Sequence, residues 1–476
     1  MKTKMHLGMS IRGLGYHPAA WRHPDVPADG TLRFEHYARS AQAAERGKCD
    51  MIFFADGIGI RERDIPRGSL ARSGYELVEM EPMTLLPALA VVTKHIGLAT
   101  TASTTYNEPY NIARKFATLD LISNGRAGWN VVTSWSDAEA KNFGREEQFD
   151  YDTRYARAAE FVEVVKGLWD SWETDALLFD KASGIFHDET KMHALNHKGR
   201  FFSVRGPLNV GGLPQGHPVV IQAGASEQGR ELAAATADVV YAVPRAKEPA
   251  RAYYADVKGR MAKYGRDAGE MKILPAMRPV VGRTADEAQA KFDQLQALLD
   301  PLVGLARLNN VFGDLSAYPV DGPVPLDSLG PIELRSVGTQ LLEQVRRERP
   351  TIRQLYEEVA GKGHFCVIGT PAHIADVMED WFRDDACDGF NITPMHLPGG
   401  CEDFVELVIP ELQRRGLFRT EYEGGTLREN LGLKPAVNRY TSRRAGAAAD
   451  SGRNGRLPTS CKRRLSTEEK RDEREI

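Results

Sequence analysis

"AGWNVVTS", residues 127–134, carries an apolar run through Trp129, Val131 and Val132 that ends in Thr133 and Ser134, with Asn130 set inside it. The turn residues "SNGR" precede it, so the stretch reads as a short buried strand entered through a glycine-relaxed turn. A plain core does not select polar side chains at such positions, because each buried polar group needs a partner.

The same pattern recurs along the chain. Eight strand-like runs can be read: "MHLGMSI" (5–11), "MIFFAD" (51–56), "IGLATTAS" (96–103), "AGWNVVTS" (127–134), "PVVIQAGA" (218–225), "VVYAVP" (239–244), "ILPAMRPVVG" (273–282) and "GFNITP" (389–394). Between them lie segments such as "FEHYARSAQAAERG", "YNIARKFATLDLIS", "TRYARAAEFVEVVKGLWDSW", "EQGRELAAATA" and "TADEAQAKFDQLQALL", with apolar residues three or four apart, the period of an amphipathic helix. Eight strand-helix alternations favour a TIM (β/α)8 barrel over an open doubly wound sheet, because the barrel closes at eight.

Three segments break the alternation and read as insertions on the barrel: 57–82, 174–217 and 299–363, the last with a Pro-rich centre "YPVDGPVPLDSLGPIE". Long excursions of this kind commonly serve as lids or binding loops. The barrel domain is expected over 1–436. The tail 437–476 has few large apolar residues and many charges of both signs, and is expected to be disordered.

Composition narrows the class. With 476 residues, 42% hydrophobic, 27% charged and a net charge of −3, the chain reads as a globular protein without the basic excess of a nucleic-acid binder. Its five cysteines form no CxxC pair, so neither a disulfide framework nor a zinc ribbon is suggested, which fits a reducing cytoplasm. The N-terminal "MKTKMHLGMSIRG" reaches polar residues too soon for a signal peptide, and Lys94 and His95 interrupt the most apolar run, so no membrane span is expected.

In a TIM barrel the chemistry sits where strands end, which gives polar residues there a functional meaning. Asp56 follows "MIFFA"; it can accept hydrogen bonds from a ligand's N–H or O–H groups, or serve as an ordinary turn aspartate. Ser103 ends the third run, and Asn130 and Ser134 belong to the fourth. Ser226 in "GASEQGR" opens a helix, where backbone N–H groups and the helix dipole favour a phosphate, although serine is also a common N-cap. Tyr151 and Tyr155, spaced i and i+4, share one helix face, either as ligand contacts or as packing.

Other motifs are missing. His193 and His197 in "HALNH" have helical metal-ligand spacing but no HExxH glutamate, so no metal site is expected. "GIGIRE" from Gly57 has Glu62 where a dinucleotide fingerprint needs its third glycine, and neither GxSxG nor GxxxxGK occurs.

Taken together, "TTYNEPYNIARKFATLDLISNGRAGWNVVTS" (104–134) resembles the signature of the flavin-dependent monooxygenases grouped around nitrilotriacetate, EDTA and dibenzothiophene-sulfone monooxygenases, within the bacterial luciferase-like superfamily. "AAWRHP" (19–24), "YDTRYARAAEF" (151–161), "HKGRFFSVRGPLN" (197–209), "PQGHPVVIQAGASEQGR" (214–230) and "TLRENLGL" (426–433) extend the resemblance over about residues 4–440. It implies a TIM barrel with insertions, reduced FMN delivered by a separate NAD(P)H:flavin reductase, and a flavin hydroperoxide that oxidises a small organic substrate, xenobiotic or bearing sulfur or nitrogen, with dioxygen. It further implies a cytoplasmic homo-oligomer, dimer or tetramer, without nucleic-acid or membrane partners.

Carried over by position, the resemblance places Asp56 beside the flavin, Ser103 at the small polar cofactor-binding position ending the third strand, Asn130 and Ser134 near the flavin ring, Tyr151 and Tyr155 at the phosphate and ribityl region, and Ser226 on the phosphate. Related sequences often have histidine where this chain has Tyr151, and a neutral phenol does not supply an imidazolium's charge. For proton handling the candidate is His17, in the loop after the first run, where an imidazole can reach the mouth, the alternative being an exposed loop histidine. Two other readings stay open: an oxidoreductase using a deazaflavin coenzyme on the same barrel, and a non-catalytic flavin-binding protein.

Overall fold

The computed structural model describes residues 3–60, 64–74, 77–326, 336–363 and 365–442. The chain divides after Ala436, with Met1–Ala436 forming one compact unit. Most of the segment expected to be disordered, residues 443–476, lies outside the described residues.

Strands β1 (His6–Ser10), β2 (Met51–Phe54), β3 (Gly97–Ser103) and β4 (Ala127–Val132) precede two antiparallel pairs, β5 (Leu177–Asp180) with β6 (Ile185–His187) and β7 (His197–Lys198) with β8 (Ser203–Val204). Then come β9 (Val219–Gln222), β10 (Val239–Ala242), β11 (Lys272–Val281), β12 (Cys366–Gly369) and β13 (Gly389–Ile392). The order β10-β9-β4-β3-β2-β1-β13-β11 is parallel throughout, and β10 pairs with β11, so the sheet closes on itself as an eight-stranded barrel. All eight runs read from the sequence are barrel strands. The ninth, β12, extends the far end of β11 through Arg278–Val281 and was not read from the sequence.

Side chains alternate along each strand between the barrel interior and the helical shell. Met51 and Phe53 of β2 pack inside with Ala99, Ile221, Tyr241 and Leu274, while Ile52 and Phe54 face the outer core. On β4, Trp129 and Val131 join the outer core, where Trp129 meets Phe116 and Phe161. The alternation therefore turns Asn130, between them, toward the interior. The barrel floor is closed by Leu427 and Leu431 from the C-terminal part of the unit. The fit is tight: a Cβ on Gly97 at the start of β3 would stand 2.5 Å from Leu427 Cδ1.

The shell helices used below are α1 (Phe34–Arg46), α2 (Pro82–Val92), α3 (Pro109–Ile122), α4 (Asp137–Lys141), α5 (Tyr151–Trp169), α6 (Glu227–Thr236), α7 (Lys247–Arg260) and α8 (Ala285–Ala297). The third insertion is more ordered than a loop reading implies. It contains α9 (Pro301–Phe312), α10 (Ser336–Glu348) and α11 (Ile352–Lys362), which share a core of Leu308, Phe312, Val345, Ile352, Leu355 and Tyr356. Asp300, capping α9, pairs with Arg72 of the first insertion at 3.4 Å. Residues 61–63, 75–76 and 327–335 of these two insertions lie outside the described residues.

Candidate active site

A cavity of about 1080 Å³ opens at the C-terminal ends of the barrel strands. That is the end where parallel strands leave their loops and where helix N-termini converge. Of the eight residues singled out in the sequence, Asp56, Asn130, Ser134, Tyr151, Tyr155 and Ser226 line it.

One wall is built by the β9–α6 turn and the start of α5. Ser226 is the N-cap of α6, its Oγ accepting from the Gly229 N–H at 3.2 Å. The Tyr155 hydroxyl lies 3.2 Å from the same Oγ. Glycines let the turn close: a Cβ on Gly224 would stand 2.9 Å from Gly229 Cα. Tyr253 on α7 fixes the turn from behind by donating to the Gly224 carbonyl at 2.7 Å. Tyr151 and Tyr155 stand one turn apart at the start of α5, their ring centroids 4.8 Å apart, and burial raises the Tyr151 hydroxyl's pKa. Arg154, between them in sequence, donates to the Ser134 carbonyl. This wall therefore combines hydroxyls, one guanidinium and the N–H-rich end of a helix, the equipment of an anion site.

The β3–β4 side is laced together by hydroxyls. Ser103 is not itself in the lining; its Oγ lies 2.8 Å from Ser134 Oγ and accepts from the Thr105 N–H at 3.1 Å. Ser134 takes a left-handed backbone, φ 49°, which turns the chain sharply at the rim. Thr101 stands opposite Asn130 in the register, and Asn130 Nδ2 donates to its Oγ1 at 2.8 Å. Asn130 Oδ1 is buried with no hydrogen-bond partner, as is Oδ1 of Asn391 on β13, another lining residue. Buried amide oxygens are costly to leave unmet, and two of them belong to residues that line one cavity.

His17 stands apart from the cavity, where the sequence reading had set it as proton carrier. It is buried, its Nδ1 accepting from the Ala19 N–H at 3.1 Å and its Nε2 2.9 Å from Gln296 Oε1 on α8. Burial, aided by the nearby cations Arg278 and Arg307, lowers its pKa to about 4. These bonds tie the loop after β1 to α8.

His193 and His197 diverge as well, toward Glu173 at 2.7 Å and Glu160 at 3.0 Å. Among the described residues no group of three or more His, Cys, Asp or Glu could hold a metal ion. Among them, too, no helix is long and apolar enough to cross a membrane.

Sequence reasoning missed Arg12, Tyr16, Arg278 and Arg307, all of them in the lining. Arg278 carried a usable signal, a lone cation within the apolar run "ILPAMRPVVG".

Comparison with known proteins agrees with this geometry. The model of the luciferase-like monooxygenase family matches residues 15–388. The chain is 50% identical over 443 residues to N-acetyl-S-(2-succino)cysteine monooxygenase of Bacillus subtilis (strain 168), covering 92% of this chain and 99% of that protein. It is 48% identical to nitrilotriacetate monooxygenase component A of Aminobacter aminovorans, covering 91% and 98%. Among solved structures, a riboflavin lyase with modified FMN and riboflavin superposes with a TM-score of 0.79 at 30% identity, over 91% of this chain and 96% of that one. On this footing the chain belongs to the luciferase-like monooxygenase family and is a flavin-dependent monooxygenase.

Proposed function

We propose that the cavity holds FMN with its phosphate at Ser226 and its ring against the β3–β4 side, and that the residues around it position a small organic substrate bearing nitrogen or sulfur. Family membership makes reduced FMN and dioxygen the reactants. Reduced FMN supplies two electrons, so that one atom of dioxygen enters the substrate and the other leaves as water.

The observation that carries the assignment is the pairing of an anion wall with unmet acceptors in one cavity. Ser226, Tyr155 and the start of α6 offer donors to a phosphate. Asn130 and Asn391 offer carbonyl oxygens that a flavin's ring N–H groups can satisfy. Asp56, at the end of β2, adds an acceptor. Ser103 acts at one remove by holding Ser134. His17 has no such place, and its role is proposed to be structural.

The chain's remaining task is to exclude water. Helix α9 contributes Arg307 to the cavity wall, which supports a part for it in shielding the reacting groups from water. A separate flavin reductase supplies the reduced flavin, as the designation "component A" of the Aminobacter relative suggests. Cys49, Cys366, Cys387 and Cys401 are free thiols, consistent with a cytoplasmic setting. A homo-oligomer is supported by the β5–β6 hairpin, which exposes Leu178, Phe179, Ile185 and Phe186 together.

The test is anaerobic titration with reduced FMN followed by turnover with a flavin reductase, NADH and 18O2. Saturable binding and one 18O in the product are expected. Binding of oxidised FMN with no reductase-dependent oxygen incorporation into any amine or thioether substrate would return the protein to a flavin carrier.

A further inference from the structure

Three of the candidate site residues stand at the ends of three neighbouring strands: Asp56 after β2, Ser103 closing β3 and Ser134 after β4. A contact made from a loop is only as well placed as the loop that carries it. Ser103 and Ser134 hold each other through their hydroxyls. Asp56 is followed by Gly57, Ile58 and Gly59, two glycines around one apolar residue, so the stretch has no polar side chain of its own to fix it.

The fixing groups come from α4. The Ile58 N–H donates to Glu139 Oε1 at 3.3 Å, and the Ile58 carbonyl accepts from Asn142 Nδ2 at 3.0 Å. Glu139 and Asn142 are three residues apart, which sets them side by side on the α4 turn. Both polar backbone groups of Ile58 are thus met by two side chains, as a neighbouring strand would meet them. Gly59 lets the loop come this close: a Cβ there would stand 3.0 Å from Asn142 Nδ2 and 3.4 Å from the Ala138 carbonyl oxygen.

A helix of five residues has little stability alone, and α4 is anchored along its length. Ser136 Oγ accepts from the Ala138 N–H at 3.2 Å, and Glu139 Oε2 accepts from the Ser136 N–H at 3.4 Å, closing a capping box. Gln148 Nε2 donates to the Ser136 carbonyl at 2.8 Å. Phe143, next to Asn142, stacks on Tyr106 of the β3–α3 loop with ring centroids 4.6 Å apart. The helix is therefore a fixed strut joining the loops that follow β2, β3 and β4.

We propose that Asn142, with Glu139 beside it, is a positioning residue of the flavin site: it holds the Ile58 backbone so that the Asp56 carboxylate, two residues away, keeps its place in the cavity wall. The proposal rests on the flavin reading of the cavity, which gives Asp56 its contact. Neither Asn142 nor Glu139 lines the cavity, so both act through the loop. A loop held in its binding geometry beforehand loses less freedom when the ligand arrives, and affinity rises without any added contact.

Reduced FMN is titrated anaerobically into wild type, Asn142→Ala, Asn142→Asp, Asp56→Ala and the Asp56→Ala/Asn142→Ala double variant. Amide hydrogen exchange over residues 55–60 and urea unfolding are followed in the same chains without flavin. Asn142→Ala removes the donor, and Asn142→Asp sets an acceptor against the Ile58 carbonyl in nearly the same shape. Exchange over 55–60 should be at least about tenfold faster in both Asn142 variants, with the urea midpoint unchanged because Asn142 is exposed. The flavin Kd should rise about fivefold to tenfold in each, and adding Asn142→Ala to Asp56→Ala should raise it no further. Unchanged exchange or unchanged Kd in both Asn142 variants overturns the proposal. Weaker binding in Asn142→Asp alone reports the added charge and overturns it too, as does an additive double variant, which would place the effect of Asn142 elsewhere than Asp56. Failure of wild type to bind reduced FMN overturns the flavin reading instead, and the exchange rates still decide whether Asn142 holds the Asp56 loop.

Discussion

The Tyr155 hydroxyl and Ser226 Oγ, 3.2 Å apart, join the first turn of α5 to the N-cap of α6 across the β4–β9 side of the barrel. One hydroxyl thus has two duties, capping a helix and facing the cavity. Substitution separates them. Ser226→Ala removes both and should cost about 1 kcal/mol of stability with the lost cap, whereas Ser226→Gly costs only a few tenths. Both should weaken reduced-FMN binding by about tenfold or more, the usual range for one hydrogen bond to a charged group. Thermal unfolding and anaerobic fluorescence titration read the two effects. Equal flavin affinity in wild type and both variants removes the phosphate from Ser226.

Gly229→Ala sets local propensity against the site. Alanine favours a helix interior over glycine by about 1 kcal/mol, so α6 itself gains. The new Cβ, however, would stand 3.0 Å from Gly224 Cα, 3.0 Å from Ser226 Oγ and 3.2 Å from the Tyr155 hydroxyl. The turn must yield by a few tenths of an ångström to admit it. The expected outcome is flavin affinity reduced severalfold with an unfolding midpoint near or above that of wild type, read by the same two measurements.

Asn130→Leu tests the unmet acceptor. In the empty chain the substitution removes a buried oxygen that has no partner, at the cost of the bond to Thr101 Oγ1. Thr101 keeps its other bond, donating to the Phe54 carbonyl at 3.2 Å. Stability without flavin should stay within about 1 kcal/mol of wild type, because removing an unsatisfied polar group offsets the lost bond. Turnover with reduced FMN should fall by at least about tenfold if the oxygen serves the flavin. Unfolding by urea and product formation measure the two sides, and full turnover in this variant would clear Asn130 of any contact with the ring.

Much of this molecule could be read from its sequence because barrel strands buried on both faces are short apolar runs bounded by turn residues. All eight, from "MHLGMSI" to "GFNITP", met that description. The strand β12 did not stand out, because its four residues, Cys366–Gly369, pair only with the extension of β11 and follow a segment that looked irregular. The Pro-rich centre of 299–363 likewise drew attention away from α9, α10 and α11, whose apolar spacing supports a small core of their own. Site residues at strand ends were legible because position alone marks them. Arg12, Arg278 and Arg307 were not, since their convergence depends on how β1, β11 and α9 come together. The burial of His17 was not legible for a related reason: its backbone N–H bonds the Met395 carbonyl at 2.9 Å, which folds the loop inward and buries the ring.

That burial gives His17 a pH signature distinct from a catalytic one. Its pKa in the folded chain, about 4, is below the unfolded value of 6.5, so the unfolded state takes up the proton first. Stability is therefore intact above about pH 6.5 and is lost as pH falls toward 4. Between pH 7 and pH 5 the His17 contribution to that loss is about 2 kcal/mol, from the linkage of a group shifted by this amount. His396, also lowered to about 4 by burial and stacked on His23 at 4.5 Å, adds a parallel loss in the same window. His17→Gln should lower stability at pH 7 through its altered contact with Gln296, yet show a shallower decline from pH 7 to pH 5 than wild type in urea unfolding. Its kcat should keep the wild-type pH profile, because the ring is outside the cavity. A variant whose activity loses an ionisation near neutrality, with an unchanged stability slope, would restore His17 as the proton carrier.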